Sequence, residues 1–171
     1  LSVVSLEEMA RVRVLKADLT RESLGLDPKD YERLGEDVDT IVHAAAWVHL
    51  LHDAETLYEV NVEGTKRIAE LALRGCATSL HHVSTLSVFV ASDRVEGTFI
   101  ESEDLSKTKW VWGGYAQTKW MAEACLRELG VPNIWHHRLG LLTRACETTL
   151  PRPKEGKTAP SENDFLFLFT R

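Results

Sequence analysis

The segment Asp39-Thr-Ile-Val-His-Ala-Ala-Ala46 constrains the chain more than any other. It is a continuous apolar run that closes on small side chains. Such a run fits a strand buried on both faces of a parallel sheet; a half-solvated strand would alternate apolar and polar residues. A parallel strand needs a crossover of a dozen or more residues to reach its neighbour. The required helix follows at once. Leu57, Val60, Ile68 and Leu71 recur near helical spacing and predict a helix over 54–73, stopped by Gly75. The pattern then repeats. His81–Ser84 forms the core of a strand, with Ser79 as its earliest start. Tyr115–Leu129 reads as a helix with Ala122, Cys125, Leu126 and Leu129 on one face, ended by Gly130, and Ile134–Arg138 reads as a further strand. Upstream, Arg11–Ala17 alternates as a strand does, with Asp18 directly after it. Pro28–Leu34 predicts a short helix with Asp27 as N-cap and Pro28 at its first position. Strands alternating with helices predict an α/β fold with a parallel sheet.

At 171 residues, 44% hydrophobic and 27% charged, the chain suits one core-forming globular domain. A net charge of −6 gives no footprint for nucleic acid or for anionic lipid. The longest apolar stretch, Ile41–Leu51, is broken by His43 and His49 and is too short to span a bilayer. Cys76, Cys125 and Cys146 form no CxxC, so neither a zinc knuckle nor a disulfide framework is expected, and reduced thiols in a cytoplasmic setting are. The seven histidines have no HExxH spacing. His81-His82 and His136-His137 are neighbours along strands and point to opposite faces, so no metal site is expected. The chain starts at Leu1, and 1–10 has no basic signal-peptide region; it reads as a piece of something longer. After Thr143 the pattern decays into a loop over 147–163 containing Pro151, Pro153, Gly156 and Pro160. An apolar run over 164–171 then resumes as the opening of a helix.

Open parallel sheets bind ligands beyond the carboxyl ends of their strands. Asp18, His43–Ala46 and Ser84-Thr85 all occupy such positions. Tyr115-Ala-Gln-Thr-Lys119 is the sharpest local feature. Residues four apart share a helix face at about 6 Å. An ammonium there favours phenolate and would lower a phenol that otherwise titrates near pH 10, which makes Tyr115 a usable proton donor. Taken alone, this spacing also describes many surface pairs. A hydroxyl from Ser84 or Thr85 could hold a carbonyl oxygen while Tyr115 protonates it, or could serve only as turn chemistry after a strand. The small residues after His43 would let a flat cofactor approach the backbone, or would serve tight helix packing. Asn61 and Gly64 sit inside a predicted helix, where both are unfavourable by up to about 1 kcal/mol. Gly64 is expected at a close-packing position and Asn61 to hydrogen-bond toward the site. Trp110 and Trp112, just before Gly113-Gly114, either line a substrate mouth or form a satellite cluster.

Taken in order, KADLT (16–20), IVHAAAWVH (41–49), NVEGT (61–65), HVSTLSVF (82–89), GGYAQTKWMAE (113–123) and HRLGLLT (137–143) resemble the extended short-chain dehydrogenase/reductases. Within that superfamily the chain is most similar to thioester reductase domains, the terminal reductases of aminoadipate reductases, carboxylic acid reductases and nonribosomal peptide synthetases. DLTRESLGL (18–26), VSTLSV (83–88), ESEDL (101–105) and YAQTKW with the following AE (115–123) carry that likeness. The resemblance implies a Rossmann-type doubly wound parallel sheet, incomplete here because the first strand–helix unit and its Gly-rich loop are missing. It divides the chain into a partial NAD(P)-binding domain over 1–143, and a loop with the start of a substrate lobe over 144–171. It implies NADPH as cofactor, and as substrate an acyl thioester on the phosphopantetheine of a carrier protein or on coenzyme A, reduced to an aldehyde or further to an alcohol. Thr85, Tyr115 and Lys119 would be catalytic. Asp18, Leu19, Ala44, Ala45, Ser84 and Lys119 would border the cofactor.

Three departures stand beside the likeness. No GxxGxxG turn occurs in the chain; the expected RPG turn reads Arg138-Leu139-Gly140; and Arg144 replaces a usual glycine. In the expected strand order the missing strands separate Arg11–Ala17 from Asp39–Ala46 and leave backbone unpaired. Two other readings remain: a nucleotide-sugar epimerase or dehydratase with retained NAD, and a non-catalytic remnant. The 171-residue chain by itself is expected to bind NADPH poorly and to fold marginally. Calorimetric titration and thermal melting check this, and tight binding with a cooperative transition would contradict it.

Overall fold

Local chemistry sets the element boundaries in the computed structural model, which describes residues 10–75, 79–94, 96–103 and 105–141. The chain divides into two units, and Lys16–Gly140 is the one that carries the described elements. After a 3₁₀ turn at Glu22–Gly25, Asp27 caps the first helix by accepting the Lys29 N–H at 2.9 Å, and Pro28 opens it. This helix, α1, spans Pro28–Asp37. Strand β1 follows at Thr40–His43. The long helix expected over 54–73 is present as three joined segments: α2 at Ala54–Tyr58, a π-helical turn at Glu59–Glu63, and α3 at Gly64–Arg74, with Gly75 at its end. Strand β2 spans Ser79–Thr85, α4 Ser87–Val90, α5 Gly114–Glu128 and β3 Ile134–Leu139.

The strands form one parallel sheet in the order β1-β2-β3. Leu80 pairs with Ile41 on one side and Ile134 on the other; His82 pairs with His43 and His136. Strand β2 alternates strictly, with Leu80, His82 and Ser84 buried. Helices α3 and α5 cover that face. Ala69, Ala72, Leu80, Leu126 and Val131 form the main core, joined by Ile41, Ile68, Leu129 and Ile134. Leu24, Tyr31 and Leu71 form a second cluster beside it.

Two strand expectations are corrected. Residues 11–17 form no strand: a strand exists by pairing, and no described strand lies alongside to bond with it. Val12 and Val14 are 58% and 87% exposed. Strand β1 is shorter than 39–46 and is not buried on both faces, because among the described residues no helix covers the face that carries Val42, which is 66% exposed. Residues 142–171 lie outside the described residues, and with them the expected loop and lobe start.

Gly113 and Gly114 answer two separate demands at the start of α5. Gly113 caps the helix at φ +81°, a backbone state that L side chains rarely adopt. Gly114 packs so closely on the start of α2 that an added Cβ would lie 2.3 Å from the His52 carbonyl oxygen. Backbone is what it would strike, so no rotamer change relieves the clash. Gly114→Ala is expected to destabilise the protein by about 2–3 kcal/mol through forced separation of the helices, measured by urea unfolding of the full-length polypeptide that carries this segment.

Candidate active site

Asn61 organises the carboxyl end of β1. Its Oδ1 accepts the Trp47 N–H at 2.7 Å, and its Nδ2 donates to the Trp47 carbonyl at 3.0 Å and to Thr118 Oγ1 at 3.0 Å. One amide thereby clamps the loop after β1 onto α5. Thr118 in turn donates to the Tyr115 carbonyl at 2.8 Å. The expectation that Asn61 bonds toward the site therefore holds, and the π turn is what aims it. Gly64 ends that turn, where an added Cβ would meet the Leu19 Cβ at 3.0 Å, so the close-packing expectation holds as well.

Lys119 is buried, 1% exposed, and its amine lies 2.7 Å from His82 Nε2. Burial pulls its pKa down to about 8, against the opposing field of Glu123. Tyr115 is half-buried, one turn earlier on α5. Here the sequence-based expectation is corrected. Burial raises the phenol above its usual value, because desolvation of the anion dominates and the Lys119 amine is held by His82 instead. Among the described residues the Tyr115 hydroxyl has no hydrogen-bond partner.

Ser84 and Thr85 part company at the end of β2. Ser84 is 3% exposed and donates to Glu123 Oε1 at 2.5 Å, so its side chain is taken up between sheet and helix rather than offered to a cofactor. Thr85 is half-buried, and its hydroxyl sits 3.2 Å from both the Ser87 hydroxyl and the Ser87 N–H. No hydrogen bond joins Thr85 to Tyr115.

Ala44 and Ala45 are exposed just past β1 and present only methyl groups, a surface that fits a flat ligand against the backbone. Asp18 is exposed; its Oδ1 accepts the Thr20 N–H at 2.9 Å and the Thr20 hydroxyl at 2.7 Å, and these bonds hold the carboxylate below its usual pKa. Among the described residues the nearest cation to Oδ2 is Arg21, at 3.9 Å, and the carboxylate stays open to solvent. The Leu19 side chain is not: it packs in the second cluster, and its carbonyl accepts Arg67 at 2.8 Å. Among the described residues no group of three His, Cys, Asp or Glu side chains is set to hold a metal ion, and no helix is long and apolar enough to cross a membrane.

These observations place small and polar groups, Ala44, Ala45 and Thr85, at the carboxyl ends of two parallel strands, with a buried amine on the helix that packs against the sheet. Residues 2–170 match the family model described as Male sterility protein, an NAD-binding family. The chain belongs to that family. It is 39% identical over 79% of its length to the glycine betaine reductase of Emericella nidulans and 34% identical over 68% to the carboxylic acid reductase of Segniliparus rugosus. It spans about a tenth of the length of these relatives, 11% and 10% respectively. Among solved structures it is similar to the terminal R domain from the myxalamid PKS-NRPS biosynthetic pathway, with a TM-score of 0.72 and 35% identity. That match covers 81% of this chain and 36% of that one. The reductase (R) domain of a nonribosomal peptide synthetase from Mycobacterium tuberculosis gives 0.63 and 32%, over 77% of this chain and 32% of that one. A UDP-glucose 4-epimerase from Bifidobacterium longum, at 15% identity and a TM-score of 0.53 over 76% of this chain and 39% of that one, shares the fold alone. The family domain is therefore of Rossmann type, as the resemblance implied.

Sequence reasoning missed the ionic partner behind the site. Glu123 is fully buried and receives the Arg138 guanidinium, with Nη2 at 2.8 Å from Oε2 and Nε at 3.1 and 3.2 Å from the two oxygens. The signal was present in two periods. Lys119 and Glu123 are four apart on a helix and rise about 6 Å; His82 and Ser84 are two apart on a strand and rise about 6.6 Å. Glu123→Ala is expected to cost about 3–5 kcal/mol, since it strands a guanidinium that is nearly buried. Replacing both partners by apolar residues should recover most of that loss. Chemical denaturation of the single and double variants checks both expectations.

Proposed function

We propose that the full-length protein carrying this segment reduces an acyl thioester, held on the phosphopantetheine of a carrier protein or on coenzyme A, to an aldehyde at the expense of NADPH. The observation that carries this reading is the similarity to R domains of carrier-based synthetases, at 35% and 32% identity, across a segment that contains Thr85, Tyr115 and Lys119. The epimerase reading rests on neighbours that share no more than the fold.

The cofactor, when bound, supplies the hydride to the thioester carbon. Ala44 and Ala45 would lie against it, with Asp18 toward its adenosine end and Lys119 toward the nicotinamide ribose. Thr85 holds the thioester oxygen through its hydroxyl. Tyr115 gives its proton to that oxygen as the carbon becomes tetrahedral. Collapse then breaks the C–S bond: the leaving sulfur takes up the hydroxyl proton and departs as the thiol, and the aldehyde remains, so one hydride and one proton are consumed for each C–S bond broken. A phenol whose pKa lies above its usual value is fully protonated at neutral pH and so has the proton to give.

Tyr115→Phe in the full-length protein is expected to lower turnover by about 100-fold or more, the usual worth of a positioned general acid. Cofactor affinity should stay within a few-fold. Aldehyde release from an acyl-carrier thioester, followed with NADPH oxidation, measures the first, and fluorescence titration of NADPH the second. Equal loss of both would overturn the proton-donor role. Absence of aldehyde or alcohol from any carrier-bound thioester would overturn the reaction assignment.

A further inference from the structure

Three histidines surround the Lys119 amine, and the reaction just described uses none of them. His82 is fully buried and His43 nearly so, and their rings stack at 5.8 Å with 19° between planes. His136 is half-buried, and its Nδ1 lies 3.2 Å from His82 Nδ1. These contacts determine where every proton must be. An ammonium is donor-only, so at 2.7 Å from Lys119 the Nε2 of His82 must be bare. The proton of a neutral His82 is then on Nδ1, and it faces His136 Nδ1, which must accept it. The His136 proton is therefore on Nε2. His43 is fixed independently. Thr65 Oγ1 donates its single proton to the Asn61 carbonyl at 2.7 Å, so at 2.9 Å from that oxygen His43 Nε2 must be the donor.

We propose that His82 and His136 are a positioning pair for Lys119: His136 locks His82 as its Nδ1–H tautomer, and the bare Nε2 of His82 holds the amine in place. The assignment of Lys119 to the reaction rests on the function proposed above; the tautomer lock does not.

The surroundings favour neutral imidazoles. His43 faces His82 from β1, Lys119 from α5, and His136 and His137 from β3; Glu123 and Arg127 of α5 and Arg138 of β3 act on His136. Glu123 is the one acid among these groups, and Arg138 and Ser84 already engage it. A proton on His82 would set a second buried cation against Lys119. Burial above all, then Lys119, pushes His82 down to about 2; burial also lowers His136, and takes His43 to about 4. The pair therefore stays uncharged across the range in which Lys119, near 8, loses its proton. The hold on Lys119 comes from a fixed acceptor rather than from a counter-ion, so it does not itself titrate near neutrality.

The test reads the imidazoles directly, in two-bond 1H–15N spectra of the full-length protein assigned with His82→Gln and His136→Gln. His82 is expected as the Nδ1–H form and His136 as the Nε2–H form, with neither titrating between about pH 5 and 8. His82 as the Nε2–H form, or a titration of either ring in that interval, would overturn the proposal. A second measurement follows the Lys119 side-chain 13Cε signal, identified by its loss in Lys119→Met. Its midpoint should stay within about half a unit in His82→Gln, whose amide oxygen can accept, and fall by about one unit in His82→Leu, where the ammonium loses its acceptor. An unchanged midpoint in His82→Leu would count against the pair. Should that variant not fold, Lys119→Met takes its place: with the ammonium gone, retention of His82 as the Nδ1–H form supports the lock by His136, and release to a mixture of tautomers refutes it. None of these readings needs turnover, so failure to reduce a thioester would sink the function proposed above and leave this proposal standing on its own result.

Discussion

A cation buried between a sheet and a helix sets the terms for the rest of the family domain. Removing an ammonium from water is costly unless its donors find acceptors or its proton is given up. Lys119 is 1% exposed and does some of each: His82 accepts from it, and its pKa falls to about 8. Its neighbours follow from that position. Glu123 lies one turn along, where its charge favours the ammonium, but its carboxylate would itself be stranded without Arg138 and Ser84. The histidines beside Lys119 stay neutral because a second positive charge has no compensation there. A packed hydrophobic layer, Leu80 and Leu126 among it, completes the same sheet–helix contact and keeps water from relieving these demands.

The helix that crosses from β1 to β2 is built to serve this arrangement rather than its own regularity. An extra residue in the turn at Glu59–Glu63 breaks the 3.6-residue repeat, and π turns of this kind recur at functional sites. At this turn Asn61 faces the loop after β1, and its amide satisfies both polar atoms of Trp47 and reaches Thr118. Thr65, one turn on, receives His43. Gly64 lets Leu19 close against the turn, and Arg67 ties the Leu19 carbonyl to the same helix, with Glu59 at 2.9 Å from its guanidinium. The exposed carboxylate of Asp18 is thus anchored to this helix through its neighbour in sequence.

Much of this was legible in the sequence where a local rule operates. Asp27-Pro28 marked the start of α1, Gly75 the end of α3, and the misplaced Asn61 and Gly64 flagged the irregular turn, because caps and propensities act within a few residues. What was not legible depends on register between strands far apart in sequence. That His82 pairs laterally with His136, and Ser84 with Arg138, follows from how β2 and β3 align, and no local rule sets that alignment. Reading Tyr115 and Lys119 as a self-contained pair failed for the same reason: the partner that claims the amine comes from the sheet. Residues 11–17 failed differently. Their alternation is that of a strand, but alternation states which face would be buried and does not supply a neighbour to pair with.

Burial acts on the two groups of the YxxxK motif in opposite directions, and this orders their acidities usefully. Unperturbed, a tyrosine phenol and a lysine ammonium titrate close together, near 10 and 10.5. Desolvation penalises whichever form is charged: the phenolate for Tyr115, whose pKa rises, and the ammonium for Lys119, whose pKa falls to about 8. The amine becomes the stronger acid. In the proposed reaction a Tyr115 phenolate is left after each proton transfer, and the downhill direction for a proton is then from Lys119 to Tyr115. Direct attraction between the two would have narrowed that gap. Holding the amine on a neutral imidazole leaves the phenol protonated at rest.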